Sequence, residues 1–145
     1  MPDAAAPGDW PKVGESIGKT DFGPFGPERL ARYAQVSGDD NPLHLDLAVA
    51  AALGLEAPPI HGMLMMSCFE PALRRWRRDV AICRLSAKFL RPIFVGSAIS
   101  VTGRVARATF DPHAELLLRL LAHGPKGELA ILAEATVRPI EAAPL

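Results

Sequence analysis

The sequence predicts an α+β fold, in which helices come first and antiparallel strands follow. Apolar residues recur at helical spacing in segments between residues 27 and 76. From residue 80 onward this period gives way to four strand-like runs separated by short turns. Short connections favour an antiparallel meander, and helices followed by a run of strands are typical of the α+β class.

Length and composition limit the possible classes of protein. The 145 residues fit one domain, which removes roughly 70% of its unfolded surface from water on folding. Sixteen basic residues balance sixteen acidic ones, so no overall field attracts nucleic acid or an anionic membrane. The apolar runs stop well short of the roughly 20 residues that a bilayer span needs. We therefore expect a globular domain without nucleic-acid or membrane partners.

The first residues carry no readable address. Residues 1–12 are rich in Ala, Pro, Gly and Asp and lack periodicity, so they predict a loose lead-in to a single domain over residues 13–145. The segment has neither the basic patch nor the apolar core of a secretory signal, and we expect a cytoplasmic protein. Cys68 and Cys83 lie in apolar segments, which predicts two reduced core residues.

Helix signals follow in order. Residues 13–22 are weakly strand-like and end in the turn-forming residues 23–27. Pro27 suits the first position of a helix and Gly38 suits its stop. Asp46 suits the N-cap of a second helix that closes at Gly54.

A third helical segment is apolar on every side. It begins at His61 and Gly62 and runs through Phe69, which predicts a helix buried all round. Pro71 predicts a bend or an end at that point. The strand-like runs then cover residues 81–90, 97–108, 115–122 and 129–140.

Residues 37–44, Ser-Gly-Asp-Asp-Asn-Pro-Leu-His, form the sharpest local feature. Pro42 fixes its own φ and extends Asn41, so the turn is stiff and can aim side chains. Asp39 and His44, pointed into one cleft, could share a water and perform acid–base chemistry, whereas Asp40 is expected to face solvent. Spacing alone leaves a structural alternative, in which Asp39 caps a turn, Asn41 forms an Asx-turn and His44 packs.

Gly62 is the second candidate feature. The first N–H groups of a helix have no partner inside it and lie at its positive end. A glycine there lets a carbonyl approach such a donor, which could then stabilise a developing oxyanion. Taken alone, the residue is better explained as a glycine chosen for close packing.

Both features together resemble a known family. Residues 38–44, followed by Asp46, a small-residue helix and Pro59-Ile60-His61-Gly62-Met63, resemble the MaoC-like, (R)-specific enoyl-CoA hydratase (hydratase 2) family. The resemblance covers nearly the whole chain. It implies a hot-dog fold, with a five-stranded antiparallel sheet wrapped around a central helix.

The resemblance also implies a reaction, the reversible hydration of trans-2-enoyl-CoA to (R)-3-hydroxyacyl-CoA by a hydro-lyase. It implies that Asp39 and His44 activate the water and that Gly62 supplies the oxyanion-hole N–H. Asn41 would position the loop or the water, and Ser67 matches a serine that lines the site. A homodimer is expected, or a heteromer with another hot-dog chain.

Several alternatives stay open. The substrate could be carried by acyl carrier protein, or be a branched, dicarboxylic or steroid acyl thioester. The chain could also be a non-catalytic acyl-thioester-binding subunit. No redox cofactor is expected, and no metal either, since Asp39, His44 and His61 lack the spacing of a zinc site.

Two groups of basic residues are candidates for binding the phosphates of coenzyme A. The first group lies at a predicted helix end and comprises Arg74, Arg75, Arg77 and Arg78. The second group has strand-like or similar spacing and comprises Arg84, Lys88 and Arg91.

Overall fold

A single antiparallel sheet forms the framework of the computed structural model, which describes residues 9–140. Its strand order is β1-β3-β4-β5-β2, and every neighbouring pair is antiparallel. The strands are β1 (Thr20–Phe22), β2 (Val80–Phe89), β3 (Ile99–Thr109), β4 (Glu115–His123) and β5 (Leu129–Pro139). The helices are α1 (Pro27–Ser37), α2 (Leu47–Ala52), α3 (Gly62–Met66) and α4 (Phe69–Trp76).

The predicted meander holds for the last three strands only. β3, β4 and β5 pair in sequence order, but β2 pairs with the far edge of β5. The nine residues between β2 and β3 span about 30 Å when extended, which is ample for three strand spacings of about 4.8 Å each. The prediction that β2 neighbours β3 was therefore wrong, because this connection is a crossover rather than a tight turn.

The core lies between one face of the sheet and the helices. Alternate residues of a strand point to the same face, and in β4 the buried set is Leu116, Leu118, Leu120 and Ala122. These side chains belong to the same buried cluster as Phe69 and Leu73 of α4. We call residues 38–44 the first motif and residues 59–63 the second motif. Helix α4, which follows the second motif in the chain, therefore packs on the sheet.

The central helix differs from its prediction in two ways. It is broken into α3 and α4 at residues 67 and 68, and Met63 is 59% exposed rather than buried. Pro71 explains the break, because a proline cannot donate to the carbonyl four residues earlier and its ring clashes there. That carbonyl belongs to Ser67. Pro71 itself sits in the first turn of α4, where helix N–H groups have no intrahelical partner.

The folded region begins before the predicted boundary at residue 13. Trp10 is only 6% exposed and lies in the core cluster, so residues 9–12 are not a loose lead-in; residues 1–8 lie outside the described range. Strand β1 is shorter than the predicted run 13–22, although Ile17 N–H still donates to the Gly103 carbonyl. Cys68 is buried as predicted, whereas Cys83 is exposed because it falls at a register shift in edge strand β2.

Within residues 9–140, no helix combines the length and the apolar character that crossing a bilayer requires.

Leu118 offers a test of this core. Its side chain is fully buried in β4, so Leu118→Ala should lower the free energy of unfolding by about 2–5 kcal/mol. The control is Leu53→Ala, since Leu53 is 64% exposed and surface changes usually stay within about 0.5 kcal/mol. Urea unfolding of both variants measures the difference. Equal losses in the two would contradict the assigned core.

Candidate active site

The loop after α1 starts with a left-handed turn. Gly38 has a φ of +79° and its N–H donates to the Ala34 carbonyl, a helix ending that favours glycine. The chain then turns so that Asp39 N–H donates to Ser37 Oγ at 3.1 Å. The Asp39 side chain is half exposed, at the edge of the site.

Asn41 and Pro42 stiffen the next part of the loop. Asn41 has an extended backbone, as a residue before proline should, and its Oδ1 accepts the Leu43 N–H at 3.0 Å. This capping bond starts a single 3-10 turn, Pro42–His44. The side-chain oxygen of Asn41 therefore acts on the loop, and the turn carries His44 inward until its side chain is only 14% exposed.

His44 is held by a bond to the second motif. Its Nδ1–H donates to the Pro59 carbonyl at 2.8 Å, because a carbonyl oxygen can only accept. In the neutral ring Nε2 is then an acceptor, and it lies 3.9 Å from Asp39 Oδ2. The structure thus brings Asp39 and His44 together with a gap that is too long for a direct hydrogen bond.

His61 lies directly behind this pair. It is fully buried, and its Nε2–H donates to the Asp39 main-chain carbonyl at 3.1 Å. Its ring stacks on His44 at a centroid distance of 4.0 Å and meets the Tyr33 ring edge-on at 4.7 Å. Burial lowers the pKa of His61, and the nearby His44 lowers it further. His61 is therefore kept neutral.

Gly62 is the first residue of α3, and its N–H has no hydrogen-bond partner among residues 9–140. It lines a groove of about 280 Å³ together with Pro59, Met65, Phe89 and Arg91. A Cβ at Gly62 would lie 2.9 Å from the Phe89 ring, so the ring covers the glycine closely. Pro59 lines this groove, and its main-chain carbonyl accepts the hydrogen bond from His44.

Ser67 is not joined to this cluster. It is exposed, and its hydroxyl donates to the Leu64 carbonyl at 2.6 Å, a bond from the last turn of α3. Tyr33, by contrast, contacts His61 in the site, although no sequence motif pointed to it. The available signal was its position on the face that also carries Ala34 and Ser37, directly before the motif.

The basic candidates separate by their contacts. Arg77 pairs with Asp79 at 2.6 Å and with Asp9 at 3.5 Å. Arg74 pairs with Glu70. Of the predicted phosphate-binding residues, Arg91 is the one that lines the groove with Gly62.

Asp39, His44 and His61 also offer three donor atoms within 4.8 Å of one another. A zinc ion lies about 2.0–2.1 Å from each histidine nitrogen that binds it, in the plane of each ring. The two rings are stacked with only 23° between their planes, so their lone pairs do not converge on one point. The donor set does not fit a tetrahedral metal centre.

The chain is similar to known proteins over most of its length. The family model for the MaoC like domain matches residues 6–110, a range that contains both motifs. The chain belongs to the MaoC-like family. This MaoC-like chain is 38% identical over 117 residues to the "(R)-specific enoyl-CoA hydratase" of Aeromonas caviae, covering 79% of the chain and 86% of that protein.

A second relative of the MaoC-like chain is the mitochondrial "3-hydroxyacyl-[acyl-carrier-protein] dehydratase" of Arabidopsis thaliana. It is 34% identical over 88 residues, which cover 61% of this chain and 52% of that protein. The structure of the "(R)-hydratase from A. caviae involved in PHA biosynthesis" has a TM-score of 0.80 and 32% identity, covering 90% of this chain and 98% of the other. The predicted hot-dog fold is confirmed.

The lowered pKa of His61 makes stability depend on pH with a defined sign. Unfolded, His61 takes up a proton near pH 6.5, its ordinary pKa; folded, it does so only at lower pH. Between the two pKa values the unfolded state binds more protons, so the free energy of unfolding falls as the pH drops below about 6.5. Above that pH the contribution is fully present. Urea unfolding between about pH 7 and 5 should show a shallower decline for His61→Gln, which cannot titrate there. Identical slopes would contradict the lowered pKa.

Proposed function

We propose that this protein is a hydro-lyase that reversibly hydrates trans-2-enoyl-CoA to (R)-3-hydroxyacyl-CoA. The single observation that carries the mechanism is the 3.9 Å gap between His44 Nε2 and Asp39 Oδ2. The 38% identity to an (R)-specific enoyl-CoA hydratase over most of both chains supports the reaction. The groove that Gly62 lines offers space for part of an acyl thioester.

The gap suits one water molecule. His44 donates its Nδ1–H to the Pro59 carbonyl, so its Nε2 is a hydrogen-bond acceptor. An ionised Asp39 carboxylate is also a hydrogen-bond acceptor only. A water set to one side of the gap can donate one hydrogen to each atom. Its lone pairs then face away from both groups, toward C3 of an enoyl thioester in the groove. The pair therefore orients the nucleophile as well as accepting its proton.

Addition of the water creates negative charge on the thioester oxygen. As the bond from the water oxygen to C3 forms, the C2=C3 electrons move toward the carbonyl, and one water O–H bond transfers its proton to the acid–base pair. We assign the free N–H of Gly62 to the resulting oxyanion, because such a donor is worth about 2.7–4 kcal/mol in the transition state. The protonated pair then returns a proton to C2. Dehydration runs through the same groups in reverse.

Asn41, Ser67 and Arg91 are the other residues with a predicted role in the site. Asn41 acts in this mechanism by capping the turn that carries His44. Ser67 as a substrate contact stays a prediction of the family resemblance. Arg91 is the basic residue best placed to meet a coenzyme A phosphate, because it lines the groove that contains Gly62.

The other substrate classes stay as alternatives. A substrate on acyl carrier protein is favoured by the 34% identical relative, a 3-hydroxyacyl-[acyl-carrier-protein] dehydratase. Branched, dicarboxylic or steroid acyl chains would use the same Asp39–His44 chemistry. A non-catalytic thioester-binding subunit is disfavoured by the pair itself, since binding alone does not need an oriented acid and imidazole. The cytoplasmic location also stays a prediction from the sequence.

A homodimer is part of the proposal. Strand β2 is a ten-residue edge strand, and edge strands present unpaired main-chain groups to another chain. Phe89 and Leu90 at its end and Met63 in α3 are apolar and about half exposed. Sedimentation of the purified chain should give twice 15.5 kDa. A monomeric mass would contradict the homodimer. A stable complex that forms only when a second hot-dog chain is added would favour a heteromer.

The reaction is tested with crotonyl-CoA, whose absorbance is lost on hydration. The unmodified protein should consume it, and Asp39→Asn and His44→Ala should each lower kcat by about 10²–10⁴-fold, the usual worth of acid–base catalysis. Asp40→Asn is the matched control, because Asp40 is exposed and adjacent. Its kcat should stay unchanged.

Two outcomes would contradict the proposal. One is binding of crotonyl-CoA without turnover by the unmodified protein, which is the behaviour of a non-catalytic subunit. The other is full turnover by both Asp39→Asn and His44→Ala.

The oxyanion donor can be removed with little change to the backbone. Gly62 is the first residue of α3 and His61 before it has φ −53° and ψ 128°, values that a residue preceding proline adopts readily. Gly62→Pro therefore deletes the N–H, while Gly62→Ala adds a Cβ against Phe89 but keeps the donor. We expect kcat of the proline variant to be about 10²–10³-fold below that of the alanine variant. Equal kcat values would remove Gly62 N–H from the mechanism.

A further inference from the structure

The ring of His44 belongs to a cluster of three rings from separate segments, with those of His61 and Tyr33. His61 lies in the middle, with its face against His44 at 4.0 Å and Tyr33 edge-on at 4.7 Å. It is 22 residues from Asp39 in sequence, yet it donates to the Asp39 carbonyl. One fully buried side chain therefore contacts both members of the pair.

We propose that His61 is a positioning residue, which fixes the Asp39 main chain with its Nε2–H and the plane of the His44 ring by stacking. The proposal rests on the function proposed above. It assigns His61 no contact with the substrate or the reacting water.

Asp39 needs such an anchor because its carboxylate is half exposed and accepts no hydrogen bond from residues 9–140. Its place is therefore set by its main chain, where the N–H donates to Ser37 Oγ and the carbonyl accepts from His61. Ser37 is exposed, so water competes for that bond. His61 is fully buried, and its bond is the one that joins the loop to the start of α3.

The protonation of His61 fits the same role. Donation from Nε2 leaves Nδ1 without a proton in the neutral ring, and that buried Nδ1 has no partner in the described structure. The bond to the Asp39 carbonyl therefore fixes which ring nitrogen carries the proton. The groups that face the ring are His44, Tyr33 and the Asp39 main chain.

Neutrality also protects the function of His44. When His44 takes a proton from water it becomes a cation, and a second positive ring stacked on it would oppose that step. Burial keeps the pKa of His61 low, so the ring supports His44 without repelling its charged form.

Two variants separate the donor from the ring. His61→Phe keeps the ring and loses the N–H, whereas His61→Gln loses the ring and keeps an amide N–H of similar reach. In hydration of crotonyl-CoA we expect His61→Phe to lower kcat by about 10²-fold, the cost of a misplacement of about 1 Å, with KM little changed. His61→Gln should lose less kcat. His113→Phe is the control, since His113 is a surface histidine, and its kcat should be unchanged.

Each result has a defined meaning. No hydration by the unmodified protein overturns the proposed function itself. Hydration by the unmodified protein with unchanged kcat in His61→Phe overturns the positioning role alone.

If His61→Phe does not fold, nitrogen-15 NMR of the unmodified protein decides. It should show a neutral His61 protonated at Nε2 at pH 7. A ring protonated at Nδ1, or at both nitrogens, would overturn the proposal.

Discussion

The hydrogen bond from His44 Nδ1 to the Pro59 carbonyl is the interaction on which the site depends. It joins two loops that lie 15 residues apart and whose residues share no secondary structure element. It also selects the tautomer of His44, so that Nε2 is left to accept from the side that faces Asp39. This bond therefore sets both the position and the tautomer of His44 relative to Pro59.

The fold places that bond at the edge of the core. Helix α3 begins at Gly62, and α4 follows it and packs on the sheet. Phe69 and Leu73 of α4 belong to the same buried cluster as the inward residues of β4. The buried helices therefore fix the position of His61 and Gly62, and the capped turn at Pro42–His44 is fixed against them by His44 and His61. The second motif is thus held by the buried helices, and the first motif is attached to it by two hydrogen bonds.

Local patterns were enough to predict much of this arrangement. Pro27 and Gly38 mark the ends of α1, and the three strands after β2 fall within two residues of their predicted bounds. The stiff turn at Pro42 also follows from the motif, whereas spacing left the convergence of Asp39 with His44 open and the family resemblance implied it. These features depend on backbone chemistry that a short window of sequence contains.

The features that the sequence did not predict depend on distant contacts. The predicted partner strand of β2 was wrong, because the pairing of β2 with β5 leaves no signal in a short window of sequence. Trp10 was assigned to a loose segment although it packs in the core. Tyr33, His61 and His44 form a ring cluster only after three segments have come together. The helix break before Pro71 is different: it was placed one turn too late although its cause is local.

The most direct measurement is a crystal structure with butyryl-CoA, a saturated thioester that cannot be hydrated. The account predicts the thioester oxygen at about 2.7–3.1 Å from Gly62 N, with an ordered water bonded to both Asp39 Oδ2 and His44 Nε2 near the β-carbon. A thioester bound away from Gly62, or an Asp39 carboxylate turned away from His44 in that complex, would contradict it.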